Sequence, residues 1–261
     1  MEVVIVDGEE QVGVVGADIF EQHVRANPQA VLGLATGSSP LSVYRELGAR
    51  VQAGTVSLAG CTAFLLDEYV GLEPGHPEAY RTVIDREFVD LVDIDPANVH
   101  GLDGLAEDIP AMCAAYEQAI TDAGGVELQL LGVGTDGHIA FNEPGSSFAS
   151  RTRTKALTGQ TRADNARFFD GDIDAVPQLC VTQGIGTILD AEHLVLVALG
   201  EGKAEAVQHL VEGSVSALWP ATALQLHRHV TVILDEGAAS RLTLADYYRE
   251  SLAAKPGWQT Y

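Results

Sequence analysis

Short apolar runs, each ending in glycine or small polar residues and each followed by an amphipathic stretch, recur along the whole chain. The run at 126–131, VELQLL, is one example, and it leads directly into GVGTDGHIAFNEPGSS. Mainly apolar runs of this length are typical of strands buried on both faces of a parallel sheet, and the stretches between them have helical spacing. This alternation predicts an α/β fold with a doubly wound, mainly parallel sheet and helices on both faces.

The pattern also predicts where the elements lie. Strands are expected at 3–6, 31–35, 61–66, 98–102, 126–131, 151–155, 193–199 and 229–234. Helices are expected at 12–24, 41–51, 78–92, 106–123, 161–169 and 183–189, after Lys203 and around Tyr247 near the end of the chain. We expect a single domain over residues 1–261, with a mobile lid around 158–180 that contains a polar, glycine-containing loop.

The charge balance excludes one class of partner. The chain has 37 acidic and 15 basic residues, a net charge of -22, and three of the basic residues are lysine. A nucleic acid needs a basic surface, so we expect none as a partner. The excess of acid is typical of a surface adapted to a saline cytoplasm, and the alternative is an ordinary acidic protein.

Other features bear on location and cofactors. No apolar run approaches the roughly 20 residues that span a bilayer, and MEVVIVDGEE lacks the basic start of a signal peptide. Cys61, Cys113 and Cys180 are odd in number and far apart, which suits neither disulfides nor a zinc site. A cytoplasmic protein without a membrane partner is therefore expected.

The loop after the run at 126–131 is the first candidate site. Asp136, His138 and Glu143 follow one another closely among glycines, which permit positive φ and close approach of a ligand. Ligands of open parallel sheets bind beyond the carboxyl ends of the strands, and Asp67 follows another apolar run in the same way. The alternative is a glycine-rich turn with solvated polar residues.

A second candidate site would bind an anion. Gly37, Ser38 and Ser39 stand between a predicted strand and a predicted helix, where backbone N–H groups and the helix dipole favour phosphate. The GxxxxGK[ST] and GxGxxG patterns of nucleotide sites are absent, so a small phosphorylated metabolite is the expected ligand. Lys203 begins another helix after a strand, although a lysine there can also serve solubility alone. An ordinary strand-to-helix turn is the alternative to the whole site.

Several runs carry a resemblance to a known family. These are LGLATGSSPLSVYREL, FLLDEYVGLEPGHPEAYR, LLGVGTDGHIAFNEPGSSFASRTRTKAL, ARFFDGD and LQLH, which extend from Val31 almost to the C-terminus. The chain resembles the glucosamine-6-phosphate deaminases of the glucosamine/galactosamine-6-phosphate isomerase family. Related phosphogluconolactonases share the glycine-rich loops but do not normally carry the FNEP continuation. Ser38 departs from the family pattern, in which a second glycine is common.

The resemblance implies a fold and a reaction. The fold would be the Rossmann-like, sugar-phosphate isomerase type, and the reaction would convert glucosamine 6-phosphate and water to fructose 6-phosphate and ammonia. No cofactor and no metal would be required. The catalytic positions of the family match Asp67, Asp136, His138 and Glu143. Its phosphate-binding positions match Gly37, Ser38, Ser39, Arg167 and Lys203, although Arg167 can also be a surface ion-pairing residue.

The resemblance further implies assembly and regulation. A homo-oligomer, in the family a hexamer, would bind N-acetylglucosamine 6-phosphate between subunits at positions that match Ser146, Arg153, Lys155 and Tyr247. Arg153 and Lys155 also share one face of the predicted strand at 151–155. The alternative is a basic strand that pairs with acidic neighbours across an interface. Two other functions stay open: hydrolysis of a sugar-phosphate lactone, and a sugar-phosphate sensor without catalysis.

Overall fold

The computed structural model describes residues 1–256, so the last five residues of the predicted domain lie outside the described part. Its strands are β1 Glu2–Val6, β2 Val31–Leu34, β3 Thr62–Leu65, β4 Asp67–Tyr69, β5 Val99–His100, β6 Leu128–Leu131, β7 Arg153–Ala156, β8 Leu179–Thr182, β9 His193–Ala198 and β10 Val230–Asp235. Seven of these strands form the main sheet, in which every neighbouring pair is parallel, in the order β1-β10-β9-β6-β2-β3-β5. The predicted doubly wound α/β fold is confirmed.

The α-helices follow the strands as the alternation predicts. They are α1 Glu9–Ala26, α2 Leu41–Gln52, α3 Tyr80–Glu87, α4 Ile109–Asp122, α5 Gly159–Asn165, α6 Ile185–Leu189, α7 Ala204–Glu212, α8 Glu236–Ala239 and α9 Ala245–Ala253. None of the helices in the described residues is both long enough and apolar enough to cross a membrane.

The strand order reverses between β2 and β6. From β2 the chain continues to β3 and β5 on one side, and β6 lies on the other side and is followed by β9 and β10. A reversal of this kind leaves a crevice beyond the carboxyl ends of the two strands, because their connections leave in opposite directions. The two glycine-containing loops singled out in the sequence, after β2 and after β6, therefore flank one crevice.

Buried apolar side chains cover both faces of the sheet. One layer contains Phe20, Tyr44 and Phe88, and the other contains Phe64 and Tyr116. Tyr44 also fixes the loop after β2, because its hydroxyl lies 3.0 Å from the N of Ala35 and 2.8 Å from the O of the same residue. The core thus holds the backbone from which the anion loop begins.

A second, three-stranded antiparallel sheet, in the order β4-β8-β7, stands beside the main sheet. The sequence predicted β7 as an exposed strand, but it predicted neither β4 nor β8. Both are short, and each pairs with residues that are remote in sequence: Asp67 opposite Thr182, and Lys155 opposite Cys180. Local periodicity carries no information about such pairings. This small sheet holds Asp67 at the edge of the crevice.

Several predicted boundaries were wrong for local reasons. The predicted helix at 78–92 ends at Glu87 and gives way to a 3-10 turn at Val89–Leu91. The predicted helix at 106–123 begins at Ile109, because the carboxylate of Asp108 accepts the N–H of Ala111 and caps the helix. The 3-10 segment Pro220–Leu226 was not predicted at all.

Candidate active site

A cavity of about 560 Å³ opens at the crevice between the carboxyl ends of β2 and β6. Its walls come from the loops after these strands, from β4, from α3, from α5 and from the turn before α7. Seven of the residues predicted from the sequence line it: Gly37, Ser38, Ser39, Asp67, His138, Arg167 and Lys203. The fold therefore brings the two predicted sites together into one.

Asp67 is a buried carboxylate on the cavity wall. It begins β4 directly after Leu66, and only 6% of its surface is exposed. Burial, and after it the neighbouring charge of Glu68, raises the pKa of Asp67 well above its ordinary value. A carboxylate with a raised pKa holds a proton more strongly, which suits a group that takes a proton from carbon and gives it back.

The neighbouring carboxylate, Glu68, has a structural role. Its two carboxylate oxygens accept the backbone N–H groups of Tyr69 at 2.8 Å, Tyr80 at 2.9 Å and Arg81 at 3.0 Å. Tyr80 and Arg81 are the first two residues of α3, whose N–H groups lack partners within the helix. Glu68 therefore anchors the start of α3 to β4, beside Asp67.

His138 is paired with two carboxylates. Its Nδ1 lies 2.7 Å from Oδ1 of Asp136 and 3.9 Å from Oε2 of Glu143. Burial alone would raise the pKa of Asp136, but the contact with His138 holds it below its ordinary value. Because Nδ1 faces the carboxylates, Nε2 is the ring nitrogen that remains for a ligand in the cavity. A histidine placed in this way is suited to acid–base chemistry.

Close backbone packing sets the position of this ring. A Cβ on Gly134 would lie 2.3 Å from Cε1 and Nδ1 of His138, so the ring rests against the glycine backbone. Gly137 has a φ of +81°, and a Cβ there would also meet Trp219 at 2.7 Å. Ala140, which lines the cavity, has a φ of 50°, in the left-handed region that alanine rarely adopts. Packing around the loop maintains this backbone conformation.

Buried hydrogen bonds fix the loop that carries His138. Asn142 donates to the carbonyls of Ile139 at 3.0 Å and Gln183 at 2.8 Å, and Gln183 in turn donates to the carbonyl of Leu65 at 2.9 Å. Glu143 is 3% exposed, and its Oε1 accepts the N–H of Thr158 at 3.1 Å. The loop is thus tied through Gln183, two residues before α6, to the end of β3, and through Thr158 to the start of α5.

Asp136, His138 and Glu143 also form a set that could bind a cation. One ligand atom from each lies within 4.8 Å of the other two. Imidazole and carboxylate are common ligands of divalent transition metals. Nδ1 of His138 lies 2.7 Å from Oδ1 of Asp136, the distance of a close ion pair, and the same three groups are also suited to acid–base chemistry.

The other end of the cavity has the character of a phosphate site. Gly37 has a φ of +102°, which turns the chain into α2, and the side chain of Ser38 is exposed to the cavity. Arg167 and Lys203 line the same region. Burial, and after it the charge of Arg167, lowers the pKa of Lys203. The two cationic side chains are therefore close enough to repel each other. An anion placed there would relieve that repulsion.

The predicted lid packs against a small aromatic core. Phe169 and Val176 are buried with Tyr69 and Phe141, and Nδ2 of Asn165 donates to the hydroxyl of Tyr69 at 2.9 Å. α5 and the following 3-10 turn, Ala166–Phe168, carry Asn165 and Arg167 into the cavity wall. The lid region as described lies against the cavity, and its mobility stays a prediction.

The four residues predicted to bind an activator lie outside the cavity lining. Arg153 and Lys155 are half-buried on β7 and alternate with exposed Thr154, so the two cations share one face. Ser146 is buried, and its hydroxyl donates to the carbonyl of Glu143 at 2.7 Å. Tyr247 is on α9 and lines a separate hollow beside Arg228. Their role as a regulatory site stays a prediction.

Tyr80, Asp164 and Asn165 are among the residues of the cavity wall that were not predicted from the sequence. Tyr80 is a partly buried tyrosine of α3, and its hydroxyl lies 3.4 Å from that of Tyr69. Asp164 and Asn165, at the end of α5, also line the cavity. Their positions depend on how α3 and α5 pack, which no local pattern reveals. Only the position of Asp164 and Asn165 just before Arg167, in a stretch already predicted to be a lid, could have indicated them.

The fold and the cavity together define an α/β protein with a ligand site at its topological switch point, cationic at one end and with carboxylates and a histidine at the other. The chain belongs to the family described as glucosamine-6-phosphate isomerases/6-phosphogluconolactonase, which matches residues 10–233.

Proteins named glucosamine-6-phosphate deaminase are similar to it over almost the full length. That of Mycolicibacterium smegmatis is 63% identical over 259 residues, with 99% of each chain covered. That of Beutenbergia cavernae is 64% identical over 259 residues, again with 99% of each chain covered.

Solved structures agree in fold. A structure described as a monomeric glucosamine-6-phosphate deaminase superimposes with a TM-score of 0.90 at 42% identity, and the match covers 93% of this chain and 100% of that one. A 6-phosphogluconolactonase from Trypanosoma cruzi has a TM-score of 0.75 at 20% identity, with 93% and 97% covered, and shows the shared fold alone.

Proposed function

We propose that this protein is a glucosamine-6-phosphate deaminase of amino-sugar catabolism, which converts glucosamine 6-phosphate and water to fructose 6-phosphate and ammonia. The observation that carries this function is the identity of 63% and 64%, over 99% of the chain, to two deaminases. The cavity supports it independently, because a phosphate-type end, a buried carboxylate and an oriented histidine share one space.

Binding begins at the phosphate end in this proposal. The backbone N–H groups at Gly37, Ser38 and Ser39, with Arg167 and Lys203, would hold the phosphate group of the sugar. A phosphate fixed there orients the carbons at the other end of the substrate, and binding energy gained far from the reacting atoms lowers the barrier of a step that needs alignment.

Opening of the pyranose ring is assigned to His138. The ring oxygen must receive a proton and the C1 hydroxyl must lose one, and Nε2 of an imidazole can do both near neutral pH. Asp136 and Glu143 orient the ring, because their oxygens lie 2.7 Å and 3.9 Å from Nδ1.

Transfer of hydrogen between carbons is assigned to Asp67. In the open chain its carboxylate takes the proton from C2, and the electron pair forms the C1=C2 double bond of an enolamine. The C1 carbonyl oxygen becomes a hydroxyl by taking back the proton that it gave to His138 on ring opening. Return of the proton to C1 gives the ketimine of fructose 6-phosphate, and water then adds to that C=N bond and releases ammonia. The burial of Asp67 supports this role, since it raises the pKa of the carboxyl group and makes the carboxylate a stronger base toward the C2 proton.

Lactone hydrolysis on the same fold is the second candidate, and a sensor without catalysis is the third. Release of ammonia from glucosamine 6-phosphate by purified protein, measured with a coupled ammonia assay, separates all three. A lactonase would consume 6-phosphogluconolactone and release no ammonia, and a sensor would bind the sugar phosphate without converting it. Either result would contradict the proposed activity.

Replacing Lys203 with alanine is expected to raise KM for glucosamine 6-phosphate by roughly 10- to 100-fold, because one charge-assisted hydrogen bond to phosphate is lost. The matched control is Lys255→Ala, since Lys255 pairs with Glu2 at 2.7 Å outside the cavity. Steady-state kinetics on both variants would show the difference. Equal KM values for Lys203→Ala and the control would remove Lys203 from the phosphate site.

The acidic surface gives a prediction in solution. With a net charge of -22, the folded chain repels itself at low ionic strength, and salt screens that repulsion. We expect the melting temperature and the activity to rise with potassium chloride well beyond the physiological concentration. A melting temperature that stays flat or falls up to molar salt would contradict adaptation to a saline cytoplasm. The cytoplasmic location itself stays a prediction.

Assembly and activation are the remaining predictions. We expect a homo-oligomer, a hexamer as in other members of the family, whereas the structure at 42% identity is described as monomeric. We also expect substrate curves that change from sigmoidal to hyperbolic with N-acetylglucosamine 6-phosphate. Arg153 and Lys155 support an anion site, because they share a face of β7, which is an edge strand of the small sheet. Sedimentation and saturation curves of wild type and Lys155→Ala would test both. A monomer with hyperbolic curves would leave Arg153 and Lys155 as structural charges.

A further inference from the structure

An acidic side chain lies among the cations at the phosphate end of the cavity. Asp164 lines the cavity together with Arg167 and Lys203. It precedes Arg167 by three residues, close to one helical turn, so both side chains leave the same side of the segment that ends α5. Burial and the charge of Arg167 lower the pKa of Lys203, whereas the charge of Asp164 acts in the opposite direction. The carboxylate is therefore within electrostatic range of Lys203.

Two hydrogen bonds restrain this carboxylate. Oδ2 accepts from the hydroxyl of Thr135, at 3.3 Å, and Oδ1 accepts from Nε2 of Gln160, at 2.8 Å. Thr135 belongs to the glycine-rich loop after β6, and Gln160 is one turn earlier on α5. Asp164 thus joins α5 to the loop that carries His138. Held in this way, the negative charge stays beside the place where an anion would bind.

We propose that Asp164 limits the affinity of the site for phosphate groups, an inference that rests on the proposed function of the cavity. Arg167 and Lys203 attract the phosphate, and the fixed carboxylate repels it. The phosphate group is the same in the substrate and in the product of the proposed reaction. Contacts with the phosphate group therefore stabilise bound substrate and bound product equally. If these contacts are too strong, they slow release of the product without lowering the chemical barrier. The carboxylate of Asp164 in the cavity wall keeps this binding of the phosphate group weak.

The decisive variant is Asp164→Asn, because asparagine removes the charge and keeps one oxygen that can accept from Thr135, although the hydrogen bond from Gln160 is lost. Dissociation constants for inorganic phosphate and for fructose 6-phosphate would be measured by calorimetry at low ionic strength, where screening is weak. We expect both constants to fall roughly tenfold, which corresponds to about 1.4 kcal/mol. KM for glucosamine 6-phosphate should fall with them, and kcat should not rise.

Two controls separate the charge from other effects. Asp174→Asn removes the same charge from an exposed residue of the lid loop outside the cavity lining, and it should leave both constants close to those of wild type. Thr135→Val removes the hydrogen bond but keeps the charge, and it should not tighten binding. If Thr135→Val tightens binding as much as Asp164→Asn does, restraint of α5 sets the affinity, and the charge does not.

The outcomes distinguish this inference from the proposed function. If wild type binds phosphate and fructose 6-phosphate but Asp164→Asn binds them no more tightly than Asp174→Asn does, the role of Asp164 is wrong and the phosphate end stands. If wild type binds neither compound, the phosphate end is wrong, and the role of Asp164 is wrong with it.

Discussion

Asparagine at position 67 is expected to reduce ammonia release from glucosamine 6-phosphate on the order of 10³-fold, with little change in the dissociation constant for the sugar phosphate. An amide cannot accept the C2 proton, so the loss falls on the chemical step. The phosphate end of the cavity, which supplies the affinity, is built from other residues. The direct measurement is exchange of the C2 hydrogen of the substrate with solvent deuterium, followed by NMR.

The stability of the Asp67→Asn variant provides the control. Because burial and Glu68 raise the pKa of Asp67 in the folded state, the folded protein binds more protons than the unfolded chain over the range between the two pKa values. Its stability therefore falls as the pH rises through that range, and the ionised carboxylate is a destabilising group at neutral pH. Removing the charge should leave the melting temperature near pH 7 unchanged or higher. Activity would then be lost without loss of folding.

Two results would contradict this role. C2 exchange at the native rate in Asp67→Asn would show that another group takes the proton. A melting temperature well below that of wild type would show that the carboxylate stabilises the folded state, and the loss of activity could then reflect damage to the small sheet that begins at Asp67.

The main sheet could be predicted because most of its strands are compact, mainly apolar runs. Leu128–Leu131 is buried at every position, as expected for a central parallel strand. The small sheet could not be predicted in full, because β4 has three residues, two of them acidic, and its pairing with β8 spans more than a hundred residues. Its strands are stabilised by tertiary contacts and not by local propensity.

The candidate site shows the same division. Glycines and carboxylates directly after apolar runs indicated Asp67 and His138, because the carboxyl ends of parallel strands meet at one edge. Tyr80 and Asp164 reach the same cavity from helices, and their place depends on the packing of α3 and α5. The structural role of Glu68 was also not apparent in the sequence, since its partners Tyr80 and Arg81 lie 12 and 13 residues away.

Glutamine in place of His138 is expected to separate ring opening from the later chemistry. Glutamine keeps a polar side chain but cannot exchange a proton near neutral pH, so the reaction of the closed pyranose should slow by about 10²- to 10⁴-fold. An open-chain analogue that carries the 6-phosphate does not need this step, and the variant should process it at a rate much closer to that of wild type.

The geometry gives this experiment a matched comparison. Asp136 does not line the cavity, and its Oδ1 lies 2.7 Å from Nδ1 of His138 and accepts the backbone N–H of His138 at 3.2 Å, so Asp136→Asn acts through His138. Asparagine keeps an oxygen beside the ring but removes the charge that faces Nδ1 of His138. Asp136→Asn should therefore slow the pyranose reaction, by less than His138→Gln does, and leave the open-chain reaction almost unaffected. Equal losses on both substrates in His138→Gln would mean that the residue organises the whole site, and ring opening would then need another acid.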